Sequence, residues 1–247
     1  MNDDEGPRSP LQLLAAMAAD EVHITPTLRH IEVYTMEGLL TLLWHGEPDA
    51  AHVVVTCGGG MGGLLGPANG LYHDLGERLW IEHGIGTVRV GYRTPNHLPR
   101  CVHDVAASAD LASRSGAQRF ITMGHSFGGA VAIQAATVLA EYCAGVCTFA
   151  TQSAGCEDAG QLRSPLLMFH GDVDEILPLD TSYVVQAIAG QGEIVVCEGN
   201  GHLLDKAAVA IRDRLVEWIP AMFATSSDAT AATDSATADD ADTAATE

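Results

Sequence analysis

Short apolar runs alternate with longer helical patterns along most of the chain, and the alternation predicts a repeating strand–helix order. His30 to Tyr34 and Leu39 to Trp44 read as two strands joined by Met36-Glu37-Gly38, a hairpin with a glycine in its turn. Ala51 to Thr56 is rich in valine and nearly all apolar, as a strand buried on both faces should be. Thr87 to Tyr92, the run from Phe120 towards Ser126, Gly145 to Ala150, Pro165 to His170 and Glu193 to Cys197 read as further strands. Between them lie helical stretches at Asn69 to His83, Cys101 to Arg114, the alanine-rich segment after Ser126 up to Ala140, Thr181 to Ala189 and Asp205 to Ile219. The last places Ala208, Ile211, Leu215 and Trp218 at helical spacing, a core-facing stripe. Strands alternating with helices imply the α/β class, with a mostly parallel central sheet, an antiparallel N-terminal hairpin and helices on both faces.

The ends differ from the middle. Residues 1–20 begin acidic and are punctuated by Gly6, Pro7 and Pro10. Leu11 to Ala19 is a short patch, apolar except for Gln12, with only Arg8 before it. It is too short to span a bilayer and lacks a basic leader, so a flexible acidic leader or a short helix is expected there, with no membrane association. Residues 21–223 are expected to form the domain. From Ala224 to Glu247 the chain is Ala, Thr, Ser and Asp with one Glu, and a disordered acidic tail is the expectation.

Charge narrows the partners. Asp and Glu number 32 against 12 Lys and Arg, and Lys206 is the one lysine. The tail holds six of the acids, so the domain itself is acidic and nucleic acid and anionic membranes are poor partners. Such a balance suits a high-salt cytoplasm or a GC-rich genome. The cysteines, Cys57, Cys101, Cys143, Cys147, Cys156 and Cys197, show no C-x-x-C pair and no zinc spacing, and free buried thiols in a cytoplasmic protein are expected. The histidines are scattered, among them His73, His97, His103 and His170, so no metal and no cofactor are expected.

The candidate chemistry lies at Gly124-His125-Ser126-Phe127-Gly128. The G-x-S-x-G spacing follows a β-rich run and precedes an uninterrupted helix former. It puts a serine on a strained strand-to-helix corner, and the two glycines leave room for neighbouring backbone. Gly129 and Ala130 extend the small surface, which lets the helix pack close to the sheet.

On these residues the sequence resembles the α/β-hydrolase family, over roughly Ala51 to Ile219. The family orders its triad Ser, then Asp or Glu, then His. His170-Gly171-x-x-Asp174-x-x-x-Pro178 looks like the family's acid loop, and the resemblance points to Asp174, with Asp172 and Glu175 as competitors. His202, on the glycine-rich loop after the Glu193 to Cys197 strand, matches the family's base. The resemblance also implies an oxyanion hole made by the Phe127 backbone N–H and a donor from the loop after the Ala51 to Thr56 strand. There Cys57 stands where the family often has histidine, and Gly59, Gly60 and Met61 are the candidates. Many relatives insert a helical cap after the strand corresponding to Gly145 to Ala150. Only 14 residues, Thr151 to Ser164, are available here, so no cap domain and a shallow, open pocket are expected. Its walls are expected to include Met61, Leu64, Leu65, His125, Gln152, Ser153 and the Arg93 to Pro99 loop.

The resemblance is to the dienelactone-hydrolase-like branch, with serine where dienelactone hydrolases proper carry cysteine. It implies a serine hydrolase of carboxylic esters, thioesters or lactones, working on a small-molecule substrate through an acyl-Ser126 intermediate as a monomer or homodimer. An acyltransferase on the same triad and a non-catalytic binding protein are the alternatives of other classes. Gly58, Gly60 and Gly63 also satisfy G-x-G-x-x-G after a strand, the dinucleotide-binding pattern. Gly66 and Pro67 delay the following helix, and the next strand ends in Arg93 rather than an acid, which argues against a nucleotide.

Overall fold

The computed structural model describes the backbone of residues 7–243 and side chains up to residue 225. Its strands are β1 (Ala18–Thr25), β2 (Leu28–Thr35), β3 (Gly38–His45), β4 (His52–Cys57), β5 (Gly86–Gly91), β6 (Arg119–His125), β7 (Cys143–Phe149), β8 (Leu166–Gly171) and β9 (Glu193–Cys197). Its helices are α1 (Pro10–Leu13), α2 (Pro67–His83), α3 (Leu98–Ser115), α4 (Phe127–Leu139), α5 (Asp180–Ala189) and α6 (Ala208–Thr243).

The strands form one sheet in the order β1-β2-β3-β5-β4-β6-β7-β8-β9. Strands β1, β2 and β3 pair antiparallel with one another, and β3 runs antiparallel to β5. From β5 to β9 every pairing is parallel. The central strands are buried on both faces, which is why β4 and β7 read as continuous apolar runs. One face packs against α3 and α4 through Val55, Val105, Ala132 and Val146, and the other against α2 and α6 through Val54, Leu75, Phe149 and Leu215. Between β7 and β8 the chain makes only one short 3-10 helix, Glu157–Gln161, so no cap domain covers the C-terminal ends of the strands.

Three differences from the sequence reading have physical causes. Strand β1 starts in the stretch read as a flexible leader and runs to Thr25, where no strand was expected. All eight of its residues are exposed, so no buried apolar period marks it, and backbone pairing with β2 holds it in place. Helix α1 is capped by Ser9 and Gln12, and the Leu11 amide is anchored to the Asp110 carboxylate at 2.9 Å. Helix α3 starts at Leu98, inside the predicted loop, because a proline in the first turn loses no intrahelical hydrogen bond. Helix α6 continues through Thr243, so the alanine-rich stretch read as a disordered tail is helical up to that residue, in line with the high helix propensity of alanine. Residues 244–247 of that tail, and residues 1–6 of the leader, lie outside the described residues.

All six cysteines are free and buried, and among the described residues no cluster of ligating side chains could hold a metal ion. No helix among them is long and apolar enough to cross a membrane.

Candidate active site

Parallel strands deliver their C-terminal ends to one edge of the sheet, and the chemistry-bearing residues follow those ends: Gly59 after β4, Ser126 after β6, Asp174 after β8 and His202 after β9. Ser126 sits between β6 and α4 with φ 58° and ψ −119°, a conformation that costs a non-glycine residue about 1–3 kcal/mol and persists only where its surroundings impose it. Those surroundings are tight. A Cβ on Gly124 would stand 1.8 Å from the Gly128 carbonyl oxygen, and one on Gly128 would stand 2.3 Å from that of Gly58. The two glycines of the G-x-S-x-G spacing therefore let the elbow close and let the loop after β4 lie against α4. Ser126 remains partly exposed while the residues on either side are buried.

Asp174 and His202, 28 residues apart in sequence, meet in space. Asp174 Oδ2 is 2.8 Å from His202 Nδ1, and the Asp174 side chain is fully buried. Its Oδ1 accepts the Ile176 and Leu177 amides at 2.8 and 2.9 Å. Burial alone would push this carboxyl up. The Leu177 amide, His202 and the Ile176 amide outweigh it and hold the group below its ordinary value, so it is an anion at neutral pH. Of the two competing acids, Asp172 instead accepts the Gly199 amide at 2.6 Å, and Glu175 sits beside Gly201.

The loop carrying His202 is braced from three sides. His125 Nε2 lies 3.0 Å from the His202 carbonyl oxygen, with the two rings 4.8 Å apart. The Asn200 Oδ1 accepts the Ala207 amide at 3.0 Å, and the Leu203 carbonyl accepts the Ala68 amide at 2.7 Å.

The loop after β4 runs beside Ser126. A Cβ on Gly59 would stand 3.7 Å from Ser126 Cβ, and one on Gly60 would stand 3.7 Å from Phe127 Cβ. Phe127 opens α4, where a backbone N–H has no partner within the helix. Two tyrosines fix the start of this loop: Tyr72 donates to the Cys57 carbonyl and Tyr92 to the Gly58 carbonyl, both at 3.0 Å. Cys57 itself is buried, and its Sγ faces the Met123 and Gly128 carbonyls at 3.4 Å. Burial pushes its thiol up to about 12, so it is neither nucleophile nor anion.

The expected pocket walls fare unevenly. Leu64 is half-buried, with its Cδ2 3.4 Å from a Cβ built on Gly91, and the Gln152 amide reaches the Ser126 carbonyl at 3.4 Å. Met61, by contrast, is 96 % exposed, because Gly62 and Gly63 turn the loop outward with positive φ. His125 is buried and turned to the His202 carbonyl rather than presented to a pocket. Arg93, expected at the rim, is buried in an ion pair with Asp104 at 2.5 Å. Tyr72, Tyr92 and the bracing role of His125 went unrecognised, because each acts on backbone carbonyls of segments remote in sequence and leaves no local spacing to find.

The chain adopts the α/β-hydrolase fold. Among solved structures of this fold, Est1E from Butyrivibrio proteoclasticus superposes with a TM-score of 0.68 at 16% identity, covering 79% of this chain and 99% of that one. Est1E is also described with ferulic acid bound. A dienelactone hydrolase from Anabaena variabilis gives a TM-score of 0.61 at 18% identity over 81% of this chain and 96% of its own. XC6422 from Xanthomonas campestris, described as a serine hydrolase without a lid, gives 0.62 at 19% identity over 81% and 98%. No protein-family model and no curated protein matches the sequence. Within the α/β-hydrolase fold, the elbow, the acid loop and the histidine loop of this chain stand at the C-terminal ends of β6, β8 and β9.

Proposed function

We propose that the protein is a serine hydrolase that cleaves carboxylic esters of small to medium acyl groups through an acyl-enzyme on Ser126. The observation that carries this reading is the Asp174–His202 contact of 2.8 Å beside a serine held at φ 58° on a partly exposed elbow. With Nδ1–H donated to Asp174, the neutral imidazole keeps its lone pair on Nε2, the tautomer a general base for Ser126 requires. Ser126 Oγ attacks the ester carbonyl carbon and its proton passes to His202. The imidazolium then protonates the departing alkoxide, and the C–O bond to the alcohol breaks. Water, deprotonated by the same imidazole, attacks the acyl-serine and releases the carboxylic acid.

The developing oxyanion is received by the backbone N–H of Phe127 and, from the loop after β4, that of Gly59. Each such donor is worth about 3 kcal/mol of transition-state stabilisation in acyl-transfer sites. Gly59 is preferred over Gly60 because it is the one that lies beside Ser126 itself. The short β7–β8 connection supports an open pocket around Leu64, Leu65, Gln152 and Ser153, suited to small acyl groups. The ester-processing neighbours and the aromatic acid bound to Est1E agree with a small-molecule ester substrate. Six reduced thiols favour a reducing compartment, and on that ground we place the protein in the cytoplasm.

The test is labelling with a fluorophosphonate, followed by peptide mapping and a series of p-nitrophenyl esters of increasing acyl length. An adduct on Ser126, absent in Ser126→Ala, with ester turnover that falls as the chain lengthens, is the expected result. Folded protein that takes up no label would overturn the reading.

A further inference from the structure

The Asp174 carboxylate has a second imidazole on it. His170, fully buried in β8, places Nε2 3.2 Å from Asp174 Oδ2, the same oxygen that receives His202. The same Nε2 is 3.0 Å from the Leu177 carbonyl, and Nδ1 is 2.7 Å from Ser182 Oγ in α5. The Leu177 carbonyl accepts from Nε2, so Nε2 carries a hydrogen, and Asp174 Oδ2 lies close beside that N–H. The Ser182 hydroxyl, which can donate, completes the other side of a neutral ring.

We infer that His170 is a positioning residue for the proposed hydrolytic centre: its Nε2–H, locked in place by Ser182, holds the Leu177 carbonyl and with it the acid loop whose amides keep the Asp174 carboxylate in the rotamer that meets His202. This inference rests on the serine-hydrolase reading above. With the Ile176 and Leu177 amides on Oδ1 and the His202 imidazole on Oδ2, three donors hold the carboxylate, and the His170 ring edge lies 3.2 Å from Oδ2. Two of the three come from the acid loop itself, whose Leu177 carbonyl His170 holds. His170 is anchored in the sheet, so it ties the loop to β8 and, through Ser182, to α5. Of the other titratable groups around this centre, Asp172 and Glu175 lie on the acid loop, and His125 packs on the far side of His202.

The consequence is readable in pH as well as rate. Removing the polar edge of the His170 ring, 3.2 Å from Oδ2, leaves more negative charge on that oxygen, which favours the protonated form of the base, so a higher pH is needed to free it. The experiment measures the rate constant of fluorophosphonate inactivation against pH for wild type, His170→Phe, His170→Gln and Ser182→Ala, with thermal melting of each. His170→Phe is expected to slow inactivation on the order of 10- to 100-fold, as loss of an orienting partner does elsewhere, and to move the acidic limb to higher pH. His170→Gln, which keeps an N–H donor, should recover most of the rate.

A His170→Phe protein that melts cooperatively and reacts at the wild-type rate with an unmoved limb overturns the inference. Should that variant fail to fold, Ser182→Ala decides, with several-fold slowing expected and an unchanged rate overturning it. Should the wild type take no label, the hydrolase reading fails separately. The downfield NMR signal of the His202 Nδ1 proton then reports on positioning directly: its loss in His170→Gln or Ser182→Ala overturns or supports according to whether the donor was kept or freed.

Discussion

The imidazole of His125, the residue before Ser126, is hydrogen-bonded at 3.0 Å to the backbone carbonyl of His202, 77 residues further on. The elbow therefore positions its own base loop.

The burial of this ring, which outweighs the contact, makes stability depend on pH. Burial, the largest cause, pushes His125 down from 6.5 to about 4, and His45, buried beneath α2, down to about 3. The unfolded chain binds these protons first, so stability falls as pH drops from about 6.5 towards 4 and then 3. Over the full window His125 contributes up to about 3 kcal/mol to that loss and His45 up to about 5. Asp174, held below its ordinary value, adds to it only at the acid end. Urea titrations between pH 7 and 4 should show the decline, and His125→Gln should flatten its upper part. A stability profile independent of pH across this window would contradict the assignment of a neutral, buried His125.

Asp174→Asn should lower kcat by about 10⁴ with little effect on KM, because the asparagine amide would stabilise the wrong imidazole tautomer. Asp172→Asn, which weakens only the cap on Gly199, should leave most activity in place. Steady-state kinetics on a p-nitrophenyl ester separates the two, and the reverse order would move the acid to Asp172.

Tyr92→Phe deletes the donor to the Gly58 carbonyl. A buried carbonyl left without its partner costs about 1–3 kcal/mol, measurable as a lower melting temperature. The same loop is proposed to hold the oxyanion donor, so kcat should fall while KM stays. Tyr72→Phe, which acts one residue earlier on Cys57, should destabilise similarly.

Asp104→Asn removes one side of the buried pair with Arg93. Arg93 Nε and its own amide both reach that carboxylate, at 2.5 and 2.8 Å. The stranded guanidinium should cost about 3–5 kcal/mol. Chemical denaturation at pH 7 measures it, and a loss under 1 kcal/mol would mean that Glu37, which meets Arg93 Nη1 at 3.2 Å, carries the charge instead.

What could be read from the chain was what local spacing encodes. The parallel core was legible because β4 to β8 are buried on both faces and leave unbroken apolar runs. The elbow was legible because steric crowding at Gly124 and Gly128 admits only glycine, and Asp174 and His202 followed from short motifs beside strand ends. Strand β1 was hidden because an exposed edge strand is held by backbone hydrogen bonds and leaves no apolar period. Arg93 read as a rim residue because Pro95 and Pro99 just after it suggested an open loop, whereas its partner Asp104 lies nearly two helical turns into α3. His125, His170, Tyr72 and Tyr92 were out of reach for one shared reason: each contact joins segments distant in sequence, and nothing in the local pattern marks the carbonyl or carboxylate it serves.

The six buried thiols give this molecule a built-in clock. Burial raises every one of them, Cys57 and Cys156 to about 12 and Cys101 and Cys197 to about 11, so in the closed protein none is a thiolate at neutral pH. A maleimide added to native protein therefore counts only molecules that have opened. Because the cysteines are spread over β4, α3, β7, the β7–β8 connection and β9, the order in which they react would chart which parts of the sheet come apart first.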